Sequence, residues 1–278
     1  MKIAYLTCYN QSIFSIQTTC PNLALALHLK YGTTLTTTPM PTQHTITINK
    51  NSPAPGATLP ESAPTYTIIH TSEEGTVTST TQYPLQAIDD ILYSSLSLSP
   101  DIFALHGAAI ACNGHSCLFL GATTSGKTTL TSYLTSQGFG YITDDCILLN
   151  RETFTISPCT TPLHLRSGGL EVLRKYSCIP DTLEFLDEET FPRYVYTPDN
   201  CVTVPLPLGR IFFITRTEQV NRLEDMGMTE RITALMKAPI VEYPVDSSYL
   251  RFLTRLAKVP CNRLLYCDMN YVKEILKK

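Results

Sequence analysis

At 278 residues the chain has room for one large domain or two small ones, with enough apolar sequence to bury a substantial core. Only 16% of its residues are charged, the net charge is −3, and no lysine or arginine block occurs, so nucleic acid and anionic membrane are poor partners. Ten cysteines are scattered without a CxxC pair. The nearest two, Cys112 and Cys117, bracket a hairpin turn rather than a zinc-ligand spacing, so reduced thiols are expected. No segment is long enough to span a bilayer, and Met1 to Phe14 lacks the apolar core of a secretion signal. The expectation is a cytoplasmic protein.

Residues 1 to about 82 are threonine-rich and short of helix formers, and several pieces alternate as strands do: Ile3, Tyr5 and Thr7; Thr45, Thr47 and Asn49 opposite Ile46 and Ile48; Thr76, Thr78 and Thr80 around Val77. Residues 51–64 carry five of the prolines and glycines that exclude periodic structure and read as an exposed loop. His28, His44 and His70 stand alone and read as structural or surface residues. From Pro84 the period changes. Leu85, Ile88, Ile91, Leu92 and Leu96 share a helical face, and Pro84 suits the first turn, so a helix joins this β-rich section to the remainder of the chain. The chain therefore divides into a β-rich N-terminal section, 1–98, and a second domain, 99–278.

Phe103 to Ile110 and His115 to Leu120 are strands around Asn113-Gly114, a strong hairpin signal. The second strand runs into Gly121-Ala122-Thr123-Thr124-Ser125-Gly126-Lys127-Thr128-Thr129, after which Leu130, Tyr133 and Leu134 fall at helical spacing. Strand, glycine-bounded loop and helix N-terminus form the context of a phosphate-binding loop. The glycines let several N–H groups converge, and the helix adds its positive dipole end. Lys127 would then reach the β and γ phosphates, and the Thr128 hydroxyl would be a ligand of the accompanying Mg²⁺.

Gly138 and Gly140 end the helix, and Tyr141-Ile142-Thr143 leads to Asp144-Asp145. Two carboxylates at a strand end downstream of such a loop are where a magnesium ligand and a general base belong. Cys146 to Asn150 and Thr153 to Ile156 suggest a second hairpin. Residues 182–200, acidic early and without clear periodicity, read as a lid, a substrate-facing loop or a solvated connector. Arg210 to Thr215 is a buried strand. Ile232, Leu235 and Met236 mark a helix, and Leu250, Leu253, Leu256 and Ala257 mark another that Asp246 or Ser247 could cap. Arg263 to Cys267 is a final strand, and Val272, Ile275 and Leu276 close the chain on a short amphipathic helix.

These residues together resemble the HPr kinase/phosphorylase catalytic domain and its kinase-like relatives. The resemblance rests on His106-Gly107 before the loop, the loop ending in Gly126-Lys127-Thr128, and Asp144-Asp145, with Pro205 to Phe213 and Val259 to Leu264 further on. It covers residue 100 onward. It implies transfer of phosphate to a serine or threonine hydroxyl, with Asp145 taking the hydroxyl proton and His106 supporting Asp145. Where the family's best-known members place a magnesium-binding glutamate in Glu-Ile-Arg-Gly, this chain has His164-Leu165-Arg166-Ser167. The metal then falls to Thr128 and Asp144 with water, unless His164 acts differently. The recognition signature for HPr is not evident, and the chain looks more like relatives associated with modification of small ribosomal peptides.

The expectation is thus an α/β fold with a P-loop nucleotide-binding core of the HPr kinase type and a β-rich N-terminal section. Its function would be a kinase using ATP and Mg²⁺, with a peptide or protein bearing serine or threonine as partner and a homo-oligomer left open. The same groups would serve the reverse reaction. A nucleotide-binding regulator without turnover and a small-molecule kinase acting on an amino acid are the alternatives. A guanine-specific Asn-Lys-x-Asp motif and an ABC-type Leu-Ser-Gly-Gly signature are missing from the sequence.

Overall fold

The threonine-rich alternation of the first 81 residues folds as strands. In the computed structural model, which describes residues 2–7, 13–51, 64–97, 99–179, 183–187 and 192–278, these strands are β1 (Lys2–Thr7), β2 (Ile13–Thr18), β3 (Leu35–Thr36), β4 (His44–Lys50), β5 (Tyr66–Ser72) and β6 (Gly75–Thr81). They form one sheet in the order β3-β1-β2-β4-β5-β6, with β2 and β4 parallel and the other neighbours antiparallel. The expected loop at 51–64 lies almost wholly outside the described residues.

This section is not all strand. Helix α1 (Pro21–Tyr31) follows β2 although Leu23, Leu25, Leu27 and Leu29 alternate in the strand manner. Alanine and leucine are the best helix formers and proline at the first turn is pre-set for a helix, so propensity overrides the period-two pattern. The helical period buries Leu23 and Leu27 and leaves Leu25 60% exposed. Helix α2 (Pro84–Ser97) begins at its proline as expected and buries Leu85, Ile88, Leu92 and Leu96. Those side chains pack with Phe14, Ile16 and Leu27, and the same cluster continues into Ile102, Ala104, Cys146, Leu148 and Cys159. One core therefore crosses the position at 98.

The rest of the chain is built on β7 (Ile102–Cys112), β8 (His115–Leu120), helix α3 (Lys127–Ser136), β9 (Gly140–Thr143), β10 (Cys146–Asn150) and β11 (Thr155–Ser157). After them come β12 (Leu163–Leu165), α4 (Ser167–Lys175), β13 (Glu184–Asp187), β14 (Pro192–Tyr196), β15 (Leu206–Arg216) and β16 (Arg222–Asp225). Helices α5 (Met228–Met236) and α6 (Ser247–Leu256), strand β17 (Cys261–Tyr266) and helix α7 (Met269–Leu276) complete it. Asn113 and Gly114, both at positive φ, make the β7–β8 turn, as two-residue hairpins of this type require. Strands β8, β15 and β17 run parallel in the middle of an eight-stranded sheet. Alternate side chains of β8 go to opposite faces: Phe119 packs with α3 and α7, Leu118 and Leu120 with α5 and α6. Asp246 caps α6 by accepting from the Tyr249 N–H at 2.8 Å.

The described part of 182–200 is a hairpin, not a structureless connector. Strands β13 and β14 pair antiparallel, and β14 also pairs with β12. Each strand is too short to print a period, which is why the pattern is invisible in sequence. No helix among the described residues is long and apolar enough to cross a membrane, and the cysteines among them are free thiols.

Strand β7 determines where a site can form. Its second half pairs with β8 through Gly107–Cys112, while β9 and then β10 run along its other edge. Ala109 stands opposite Thr143 and His106 opposite Cys146, so Asp144-Asp145 is the break between those two strands. The Gly107 N–H closes that break by donating to the Asp145 carbonyl at 3.1 Å. On the other edge Gly107 stands opposite Leu120, the last residue of β8 before the glycine-bounded loop. Backbone register alone thus brings His106, the loop and the two aspartates together.

Candidate active site

One face of β7 carries Ile102 and Ala104 in the core beneath α2, then His106, then Ala108 and Ile110 in the core beneath α3. His106 sits at the seam between the two helical covers, in the middle of the strand rather than at its end, and the cleft opens there. The cavity has a volume of about 550 Å³.

One wall is the loop after β8. Thr124 and Gly126 take left-handed backbone, φ +71° and +89°, a conformation in which successive N–H groups converge on one concavity. A side chain at Gly126 would also collide with the Tyr266 hydroxyl, 2.5 Å from where a Cβ would lie. That hydroxyl donates to the Ser125 carbonyl at 3.0 Å and pins the loop. Helix α3 starts here, with the Leu130 N–H donating to the Gly126 carbonyl at 2.8 Å. Lys127 is 8% exposed and its ammonium donates to the Gly121 and Ala122 carbonyls, at 2.8 and 3.2 Å. Burial lowers its pKa, against the raising effect of Asp144 and Asp145.

The floor is the aspartate break, and the two carboxylates differ. Asp144 is buried and its Oδ1 has no hydrogen-bond partner. Burial raises its pKa well above the carboxylate range; the neighbouring Asp145 adds to this, while a hydrogen bond from Thr128 and the charge of Lys127 oppose it. Asp145 keeps 60% of its side-chain surface open to the cavity, with Oδ1 3.2 Å from His106 Nδ1 and Oδ2 accepting from the Tyr93 hydroxyl at 3.0 Å. Desolvation by the cleft walls would raise this carboxyl too, but His106, the Tyr93 bond and the Lys30 charge prevail and hold it at about 2. An ionised carboxylate only accepts, so Nδ1 of His106 is the protonated nitrogen.

A half-buried hydroxyl and a buried carboxylate with an unused oxygen are a hard-oxygen donor set suited to Mg²⁺. Thr128 and Asp144 would hold the ion, leaving its other positions to phosphate and water. Among the described residues no group of three or more histidine, cysteine, aspartate or glutamate side chains could hold a metal alone. His164 and Arg166 line the same cavity.

The raised pKa of Asp144 would tie the holding of a cation there to pH. Its ionised form costs stability as pH climbs above the ordinary carboxylate range, and a bound cation must displace a proton. Mg²⁺-dependent nucleotide binding would therefore tighten as pH rises through the raised pKa of Asp144. Asp144→Asn should remove that dependence and, without Mg²⁺, melt no lower than the wild type. Calorimetry at three pH values and a melting curve check both; a pH-independent wild type would refute it.

The structure also brings in residues that sequence reasoning passed over. Tyr93, Asp89 and Gln86 of α2 and Lys30 and Tyr31 of α1 also line the cavity, as do Arg193 from β14 and Arg216 from the end of β15. The signal for the α2 residues was present: positions 86, 89 and 93 form a polar stripe beside the apolar one.

The chain is thus a mixed α/β protein with several sheets, whose central strand–loop–helix unit opens on a polar cavity. No family model and no curated protein sequence matches it. Among solved structures it is similar to the HPr(Ser) kinase/phosphatase from Coxiella burnetii, at 12% identity and a TM-score of 0.30, over 62% of this chain and 91% of that one.

Proposed function

We propose that the chain is a Mg²⁺-dependent kinase that transfers phosphate from ATP to a serine or threonine hydroxyl of a peptide or protein in the cytoplasm. The observation that carries this reading is the single cavity in which Lys127, Thr128, Asp144, Asp145 and His106 meet. The loop from Gly121 to Thr129 would cradle the phosphates, with the backbone N–H groups and the α3 dipole facing them. When bound, Mg²⁺ held by Thr128 and Asp144 would supply charge neutralisation to the β and γ phosphate oxygens.

The acceptor hydroxyl oxygen attacks the γ phosphorus, the bond to the β-phosphate oxygen breaks, and its electron pair leaves with ADP. The hydroxyl proton passes to Asp145. A carboxylate held near pKa 2 is a weak base, which is adequate where the transition state is loose and the proton leaves late. Its main service is to orient the hydroxyl, and the His106 bond keeps it in place.

The test is intact-mass analysis of a degenerate peptide library carrying one serine or threonine, incubated with the protein, ATP and Mg²⁺. A gain of one phosphate that requires Mg²⁺ is the expected result. Nucleotide binding with no transfer to peptides or free amino acids would overturn the kinase reading in favour of a regulator.

A further inference from the structure

The cavity has two chemically different sides, and the kinase reading assigns only one of them. The loop side comes from β8 and α3. Another part of the cavity lining comes from α1 and α2 of the N-terminal section. We infer that α1 and α2 build the acceptor side of the cavity, with Tyr93 as a positioning residue for Asp145 and Gln86 facing the incoming hydroxyl substrate; this rests on the kinase reading.

Three observations carry it. Tyr93 reaches across to Asp145 Oδ2 at 3.0 Å, so the proton acceptor is held from two directions, by His106 on β7 and by a residue 52 positions earlier in the chain. A tyrosine whose ionisation is opposed by burial and by the neighbouring carboxylate stays a donor across the working pH range. Second, the wall is braced. Lys30 of α1 pairs with Asp89 of α2 at 2.7 Å, both largely buried, and the Tyr31 hydroxyl donates to the same carboxylate at 2.7 Å. A cross-link of this kind sets the two helices in one geometry, as a recognition surface requires. Third, α2 spends its apolar stripe on the core and turns Gln86, Asp89 and Tyr93 to the cavity. The Gln86 amide nitrogen donates to Asp90 Oδ1 at 2.9 Å, and its carbonyl oxygen is the group it can offer to a neutral donor such as the peptide N–H beside a serine.

The experiment uses the full chain and two variants, Tyr93→Phe and Gln86→Ala, with Mg-ATP binding by calorimetry and transfer to the single-serine peptide library as readouts. Tyr93→Phe removes one hydrogen bond to a charged group, so transfer at saturating Mg-ATP should fall by about tenfold or more, with affinity for Mg-ATP and melting temperature nearly unchanged. Gln86→Ala should raise the library concentration needed for half-maximal rate without changing the limiting rate. Weakened Mg-ATP binding in either variant, or wild-type transfer in both, would overturn the inference.

A third measurement decides without turnover. The fluorine resonance of 3-fluorotyrosine placed at position 93 should move on Asp145→Asn and stay on addition of Mg-ATP; the reverse pattern would refute the assignment. If the wild type transfers to no peptide while the resonance behaves as expected, the kinase reading fails and the Tyr93–Asp145 coupling stands.

Discussion

Asp145→Asn is expected to retain Mg-ATP binding while losing transfer by on the order of 10²–10⁴-fold. The amide keeps the shape of the carboxylate but cannot take a proton. It also faces two donors, His106 Nδ1 and the Tyr93 hydroxyl, with one acceptor oxygen where the wild type has two. The variant therefore loses both the proton acceptor and part of its alignment. Binding should survive because the loop contacts come from another strand. The check is calorimetric affinity for Mg-ATP beside the rate of mass gain on the peptide library. If Asp144→Asn gave this pattern instead, the two aspartates would have exchanged roles.

Lys127→Ala should lower nucleotide-dependent turnover by on the order of 10²–10³-fold and weaken Mg-ATP binding as well. The ammonium is buried and the other loop side chains are neutral, so nothing else on the loop supplies a point charge. It has three donors and spends two on the Gly121 and Ala122 carbonyls. The lysine thus ties the first residues of the loop to the first residue of α3, and phosphate would compete for the same donors. Alanine removes both the tie and the charge. Phosphate release and binding of a fluorescent nucleotide measure the two losses; wild-type turnover would end the assignment of the loop.

How much of the molecule could be read from the chain depends on the range of each interaction. The β7–β8 hairpin, the loop and α3 are contiguous, so their glycines, asparagine and apolar periods state the local structure directly. Asp144 and Asp145 are legible as a strand-end pair, but nothing in sequence says that one is buried and the other open. That difference arises from the packing of α3 and from the β9–β10 break. His106 stood out through resemblance, and the reason for its position, the seam between two cores, exists only in three dimensions. Asp89 and Tyr93 lie on a helix whose period is legible, but only the fold turns that polar stripe to the site; Lys30 was silent because it comes from a section whose strand pattern dominates its reading. The alternating leucines of α1 concealed a helix for the same reason.

The core beneath α2 includes Ile102, Ala104, Cys146, Leu148 and Cys159 along with Leu6, Phe14 and Ile46. A chain leaving the ribosome cannot complete that core until residue 159 has emerged, so its first 98 residues wait with an apolar flank uncovered. The order of synthesis then places the loop and both aspartates in the chain before the N-terminal sheet can close. The wall of the cavity that α1 and α2 supply is therefore fixed only after the loop and both aspartates exist in the chain.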